Sequence, residues 1–230
     1  MISGLAPLAR PNVQGFSAQI AAAPLHETGP AAPGAEAAAL GFSLGICAGW
    51  LGSAGLIWAG EEAAFAEEGA PYPVGLAQFG IDPARLIVIR AQKREEALWA
   101  AEQGLAVPGA VVLCALGGRG KPLDLKATRR LLLIAERHKS RCLLLKPEDA
   151  PTAAWTRWSV APAPSQGAAR ELGAPAFTAT LTRNRAGPAG RSFTLEWNAH
   201  GRAFAERGAL AGDLAAAPVD RSPTPLRRRA

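Results

Sequence analysis

The chain has few residues with which to hold a metal or cross-link itself: of 230 residues, three are cysteine and three histidine. Cys47, Cys114 and Cys142 lie inside apolar runs, with no C-x-x-C spacing and no neighbouring histidine, and this pattern reads as buried, reduced thiols. His26, His138 and His200 are scattered without ligand spacing, so no metal is expected. No stretch of 18 apolar residues occurs, which excludes a membrane-spanning helix. Residues 1–24 lack a basic segment followed by a long apolar core, so no secretory leader is read there and a cytoplasmic protein is the expectation. No internal repeat of solenoid length is found.

What is present suffices for one core. The length suits a single domain with tails. The hydrophobic content is 49%, although alanine supplies much of it and buries little area per residue. The net charge of +6 is uneven. Residues 198–230 hold six arginines (Arg202, Arg207, Arg221, Arg227, Arg228, Arg229) against three acids, and so contribute half of the excess. The triplet Arg227, Arg228 and Arg229 reads either as a solvated tail or as a contact for nucleic acid or an acidic partner.

Short continuous apolar runs recur: Gly55–Ala59, Leu86–Arg90, Ala110–Ala115 and Cys142–Lys146. Runs without alternation suit strands covered on both faces. Helical patterns separate them. Lys93–Gly104 ends on a glycine suited to a C-cap, and Asp124–Ser140 opens on an N-cap aspartate and closes on Arg137, His138 and Lys139. Strand and helix alternate, so a mostly parallel α/β sheet is predicted. After Lys146 the pattern changes. Thr156–Val160, Phe177–Asn184 and Arg191–Trp197 alternate, the last two flanking a Gly/Pro turn, which predicts a β-hairpin added to the core. The Ala/Pro/Gly-rich segment 161–175 reads as a mobile linker, and Ala203–Leu214 as a short helix.

Leu25–Thr28 reads as a strand entering Gly29-Pro30-Ala-Ala-Pro33-Gly34-Ala35-Glu36, with an apolar helix from Ala37 to about Trp50. This is the spacing of the phosphate-binding loop G-x-x-x-x-G-K-[ST]. In a working loop a lysine reaches the β and γ oxygens and a hydroxyl holds magnesium. Here those places are Ala35 and Glu36, and Pro33 removes a backbone donor. A carboxylate about 5 Å from a phosphate charge is repelled by roughly 3 kcal/mol per charge pair at an effective dielectric near 20. Where a magnesium-binding acid is expected, at the end of the Ala110–Leu113 strand, stand Cys114 and Ala115. Glu61 occupies the place of a water-activating glutamate, with Glu62 beside it; without a held phosphate it reads as a surface carboxylate. The loop is therefore vestigial, and neither catalytic residues nor a cofactor is expected.

The order of Gly29–Glu36, LIWAGEEA (56–63), LAQFGIDPARLIVI (76–89), EEALWAAEQGL (95–105) and GAVVLCAL (109–116) resembles the ATPase core of RecA. With LDLKATRRLLLIAE (123–136), TRWSVAPAPS (156–165) and LTRNRAGPAGRSFTLEW (181–197), it looks most like the ImuA family, small RecA-like accessory proteins of bacterial inducible mutagenesis. The resemblance covers about residues 25–197. It implies a RecA-like domain there, between an N-terminal extension (1–24) and a basic, disordered tail (198–230). It also implies participation in SOS translesion synthesis, and the vestigial loop makes the expected role a non-catalytic one. The implied partners are an ImuB-like inactive homologue of Y-family polymerases, an error-prone replicative-type polymerase and RecA, with direct DNA contact an open question. SulA-like inhibition of cell division and an unconventional ATP-binding RecA paralogue are the alternatives. Arg183, Asn184 and Arg185, with Arg191 beyond the turn, resemble in placement a Lys-Asn-Arg element that senses nucleotide across RecA subunits. Without nucleotide they read as a polar turn or a contact for a protein or nucleic acid. Trp155, Trp158 and Trp197 read as core residues or interface anchors.

Overall fold

A strand covered on both faces carries apolar side chains at every position, and all five residues of Val111–Ala115 are buried. The computed structural model describes residues 15–21, 23–52, 54–117, 122–146, 150–166 and 173–207. Its parallel strands are β1 (Leu25–Pro30), β2 (Leu56–Glu61), β3 (Leu86–Ala91), β4 (Val111–Ala115), β5 (Arg141–Leu145) and β6 (Thr156–Pro162). Antiparallel strands β7 (Ala176–Asn184), β8 (Ser192–Asn198) and β9 (Ala203–Glu206) follow. They form one sheet in the order β3-β2-β4-β5-β1-β6-β7-β8-β9. The predicted parallel sheet with a β-hairpin addition is present, and the addition runs one strand further, to β9.

Helices fill both faces. On one side lies α2 (Glu36–Leu51), with a short α1 (Phe16–Ala21) and the small α3 (Glu62–Glu68) and α4 (Pro73–Gln78). Its core joins Phe42, Trp58, Leu113, Leu143 and Trp158. On the other side α5 (Arg94–Leu105) and α6 (Leu125–His138) cover Leu25, Val112, Cys114 and Leu144. Most of α2 is apolar because it is enclosed on more than one side: a Cβ on Gly45 would lie 2.5 Å from the Phe204 ring, on the side where β9 closes over it. Phe16 enters the same aromatic group, 5.2 Å from Trp158 and 5.4 Å from Phe204 between ring centres.

Four local expectations need correction. Gly104 does not end α5, whose C-cap is Ala106. It is buried against the sheet, where a Cβ would meet Ile57 and Val112 at 3.2 Å, so its smallness serves helix–sheet approach. Ala203–Glu206 is a strand, not the start of a helix, because pairing with β8 buries Phe204 against α2; residues 208–214 lie outside the described part. Ala161 and Pro162, read as the start of a mobile linker, extend β6, and the Ala163 N–H donates to the Ala176 carbonyl at 3.0 Å, an ordinary sheet bond. The folded unit therefore includes Phe16–Ala21 before residue 25 and reaches Glu206 after residue 197.

Candidate functional site

The Gly29–Glu36 loop joins β1 to α2 as its spacing predicts. Gly29 is required by packing, since a Cβ there would lie 2.5 Å from the Lys146 carbonyl oxygen, and Gly34 adopts φ +92°. Two of the loop's backbone donors are committed and two positions have none. The Ala31 N–H donates to the Val160 carbonyl (2.8 Å) and the Ala35 N–H to that of Ala32 (3.1 Å), while Pro30 and Pro33 have none. Ala35 is the N-cap of α2 without a side-chain hydrogen bond, and Glu36 opens the helix, where a carboxylate complements the helix dipole. At positions 35 and 36 a phosphate seated here would find neither lysine nor hydroxyl, but an alanine and a carboxylate. The residues present do not fit a triphosphate with magnesium.

At the neighbouring strand ends, Glu61 is buried, against the expectation of a surface position. Its Oε2 accepts from the Gly117 N–H (2.5 Å) and lies 3.5 Å from Arg94 Nε, while Arg94 Nη2 donates to the Gly117 carbonyl (2.5 Å). The pair thus closes the chain as it leaves β4. The exposed carboxylate is Glu62, which accepts from Arg90 Nε at 2.8 Å and is held below the usual carboxylate range mainly by that hydrogen bond. Cys114 is fully buried, and burial, then the Glu61 charge, pushes its thiol up to about 12. Cys47 and Cys142 are shifted upward by burial as well, so these three free thiols are packing groups.

The cations of the Arg183–Arg185 turn point inward. Arg183 Nη2 donates to the carbonyls of Thr152 and Ala154 (2.9 Å to the latter), and Arg185 Nη1 to that of Ala153 (3.0 Å) while lying over the Trp155 ring. Asn184 Nδ2 donates to Gln19 Oε1 at 3.1 Å. Arg191 is separate, 4.6 Å over the Phe193 ring. The turn therefore clamps the chain after β5 rather than presenting a cluster. Trp158 and Trp197 are core residues, whereas Trp155 is half-buried. Arg227, Arg228 and Arg229 lie outside the described residues.

Sequence reading missed what sits beneath that clamp. A cavity of about 340 Å³ is lined by Glu27, Gly29, Lys146, Arg157, Thr182 and Arg183, among others. Glu27 is fully buried; its Oε2 accepts from Arg157 Nε at 2.8 Å and its Oε1 has no hydrogen-bond partner among the described residues. The signal available was a charged residue within β1, in LHET, and another at the end of the apolar run CLLLK, just past β5. Beside it His26 is also buried. Its Nε2–H donates to the Ala23 carbonyl (2.8 Å), so Nδ1 accepts from Thr156 Oγ1 (2.6 Å), which in turn accepts from Trp158 Nε1 (2.8 Å). Burial holds the imidazole down, from 6.5 to about 4. Among the described residues no group of three His, Cys, Asp or Glu converges as a metal site, and no helix is long and apolar enough to cross a membrane.

A mostly parallel sheet in this order, with a glycine loop between its fifth strand in line and a covering helix, defines a RecA-like fold. Among solved structures the RadB recombinase matches over 77% of this chain and 88% of its own, with TM-score 0.51 and 16% identity. SulA from Pseudomonas aeruginosa matches over 55% of this chain and 99% of its own, with TM-score 0.39 and 16% identity. No protein-family model matches the chain, and no curated protein matches it at a significant level.

Proposed function

We propose that this RecA-fold chain is a non-catalytic accessory protein of DNA-damage-induced translesion synthesis. In this reading it supports an ImuB-like protein and an error-prone replicative-type polymerase, with RecA as a further partner. One observation carries the loss of catalysis. The strand–loop–helix frame persists while Ala35 and Glu36 replace its cation and hydroxyl, and Glu61 is tied to Arg94 and the Gly117 N–H. In that position Glu61 Oε2 serves the backbone at the β4 exit. The pathway itself rests on the resemblance in order and spacing of segments 25–197.

Two measurements test the two halves. Millimolar ATP with magnesium should leave the melting temperature unchanged, since a ligand that binds only the native state raises it; a rise, with turnover lost in Glu61→Ala, refutes the non-catalytic reading. The purified chain should associate directly with an ImuB-like partner, and its deletion should lower damage-induced mutagenesis. No association and unchanged mutagenesis, with filamentation on overexpression and binding to the division tubulin homologue, would establish division inhibition instead.

A further inference from the structure

Helix α6 buries one side and leaves the other without a partner. At about 100° per residue, Thr128, Leu131, Leu132 and Ala135 turn to the core, and all four are buried. The opposite arc carries Leu125, Lys126, Arg129, Leu133, Glu136 and Arg137, every one of them exposed. Leu125 and Leu133 are 53% and 55% exposed, which is unusual for leucines flanked by charge. Leu125, Arg129, Leu133 and Arg137 follow at intervals of four, so apolar and cationic side chains alternate along one line of the helix. Lys126, Arg129 and Arg137 make no ion pair or side-chain hydrogen bond among the described residues, in contrast to Arg130, which pairs with Glu102 at 2.5 Å.

We infer that the outer face of α6 is a docking surface for an acidic amphipathic segment of another protein. Charge decides against the chain's own ends: residues 1–14 carry Arg10 and no acid, and residues 208–230 carry four arginines against two aspartates. A second copy, at net +6, is repelled likewise. Apolar exposure decides against a phosphate backbone as the occupant, because phosphates reward the cations alone and leave both leucines in water. A helix with leucines between glutamates satisfies both sets, in the manner of helical segments recognised through anchors at i, i+3, i+4 and i+7.

The test titrates the full chain, by fluorescence anisotropy, with three labelled probes. These are an acidic helical peptide of about five turns bearing a leucine stripe, the same peptide with serine for leucine, and a single-stranded oligothymidylate. The leucine peptide should bind, and the serine peptide should bind at least about tenfold more weakly. The double variant Leu125→Ser/Leu133→Ser should lose a similar factor for the leucine peptide, at unchanged melting temperature. Arg129→Glu/Arg137→Glu should weaken it further, and added salt should do the same. No binding of the leucine peptide, equal binding of the two peptides, or full affinity in the leucine variant overturns the inference. Oligothymidylate that displaces the peptide and ignores the leucine variant assigns the face to nucleic acid instead.

Discussion

Acid should destabilise this protein through His26. The imidazole titrates near 6.5 when the chain is unfolded and near 4 in the fold, where burial disfavours its charge. Between those values the unfolded chain takes up a proton that the native state refuses. Stability therefore rises with pH across this window and is lost as pH falls through it. The loss is about 2 kcal/mol at pH 5 relative to pH 8 and roughly 3 kcal/mol below pH 4. Geometry gives the same sign. A proton on Nδ1 would displace the Thr156 hydroxyl hydrogen, which has its place between His26 and the oxygen that receives Trp158 Nε1. Urea denaturation followed by tryptophan fluorescence at several pH values, on the wild type and His26→Gln, isolates this one group from the carboxylates common to both. The wild type should lose more stability than the variant between pH 6.5 and 4. Parallel curves, or an NMR titration placing His26 near 6.5, would refute the reasoning.

Removing a carboxylate from the β4 exit, Glu61→Ala, leaves Arg94 buried with its partner gone and should cost about 3 kcal/mol in denaturant unfolding; a neutral result would mean that the ion pair does not hold the strand end. Gly45→Ala drives a methyl into the Phe204 ring and should destabilise by about 1–3 kcal/mol, with β9 the first element to lose amide protection. Phe16→Ala should cost about 3–5 kcal/mol if the residues before the first strand belong to the folded unit, and close to nothing otherwise. Arg183→Ala frees the carbonyls of Thr152 and Ala154. Hydrogen exchange should then quicken at the Ala153 and Trp155 amides, which donate to Thr128 Oγ1 and the Leu25 carbonyl, by about 30-fold for a loss of roughly 2 kcal/mol.

The layout of the molecule was legible because it depends on local pattern. The unbroken apolar run of β4 requires cover on both faces, and the glycine spacing after Thr28 requires a turn into α2. Asp124, which accepts from the Lys126 N–H at 2.8 Å, marks the start of α6 by chemistry confined to three residues. The substitutions at positions 35 and 36 are likewise plain in the sequence, since identity alone removes the cation and the hydroxyl.

Fate of the charged side chains was decided only in three dimensions. Glu61 and Glu62 are adjacent and chemically alike, yet one is buried against Arg94 and the other pairs with Arg90 in solvent, because Glu61 ends β2 while Glu62 opens α3 and the partners arrive from other segments. The clamp of Arg183 and Arg185, the enclosed Glu27 and the strand Ala203–Glu206 have the same origin. Each depends on a contact more than 20 residues away or on pairing with an existing sheet edge, and periodicity along a chain records how deeply a residue is buried but not what lies across from it.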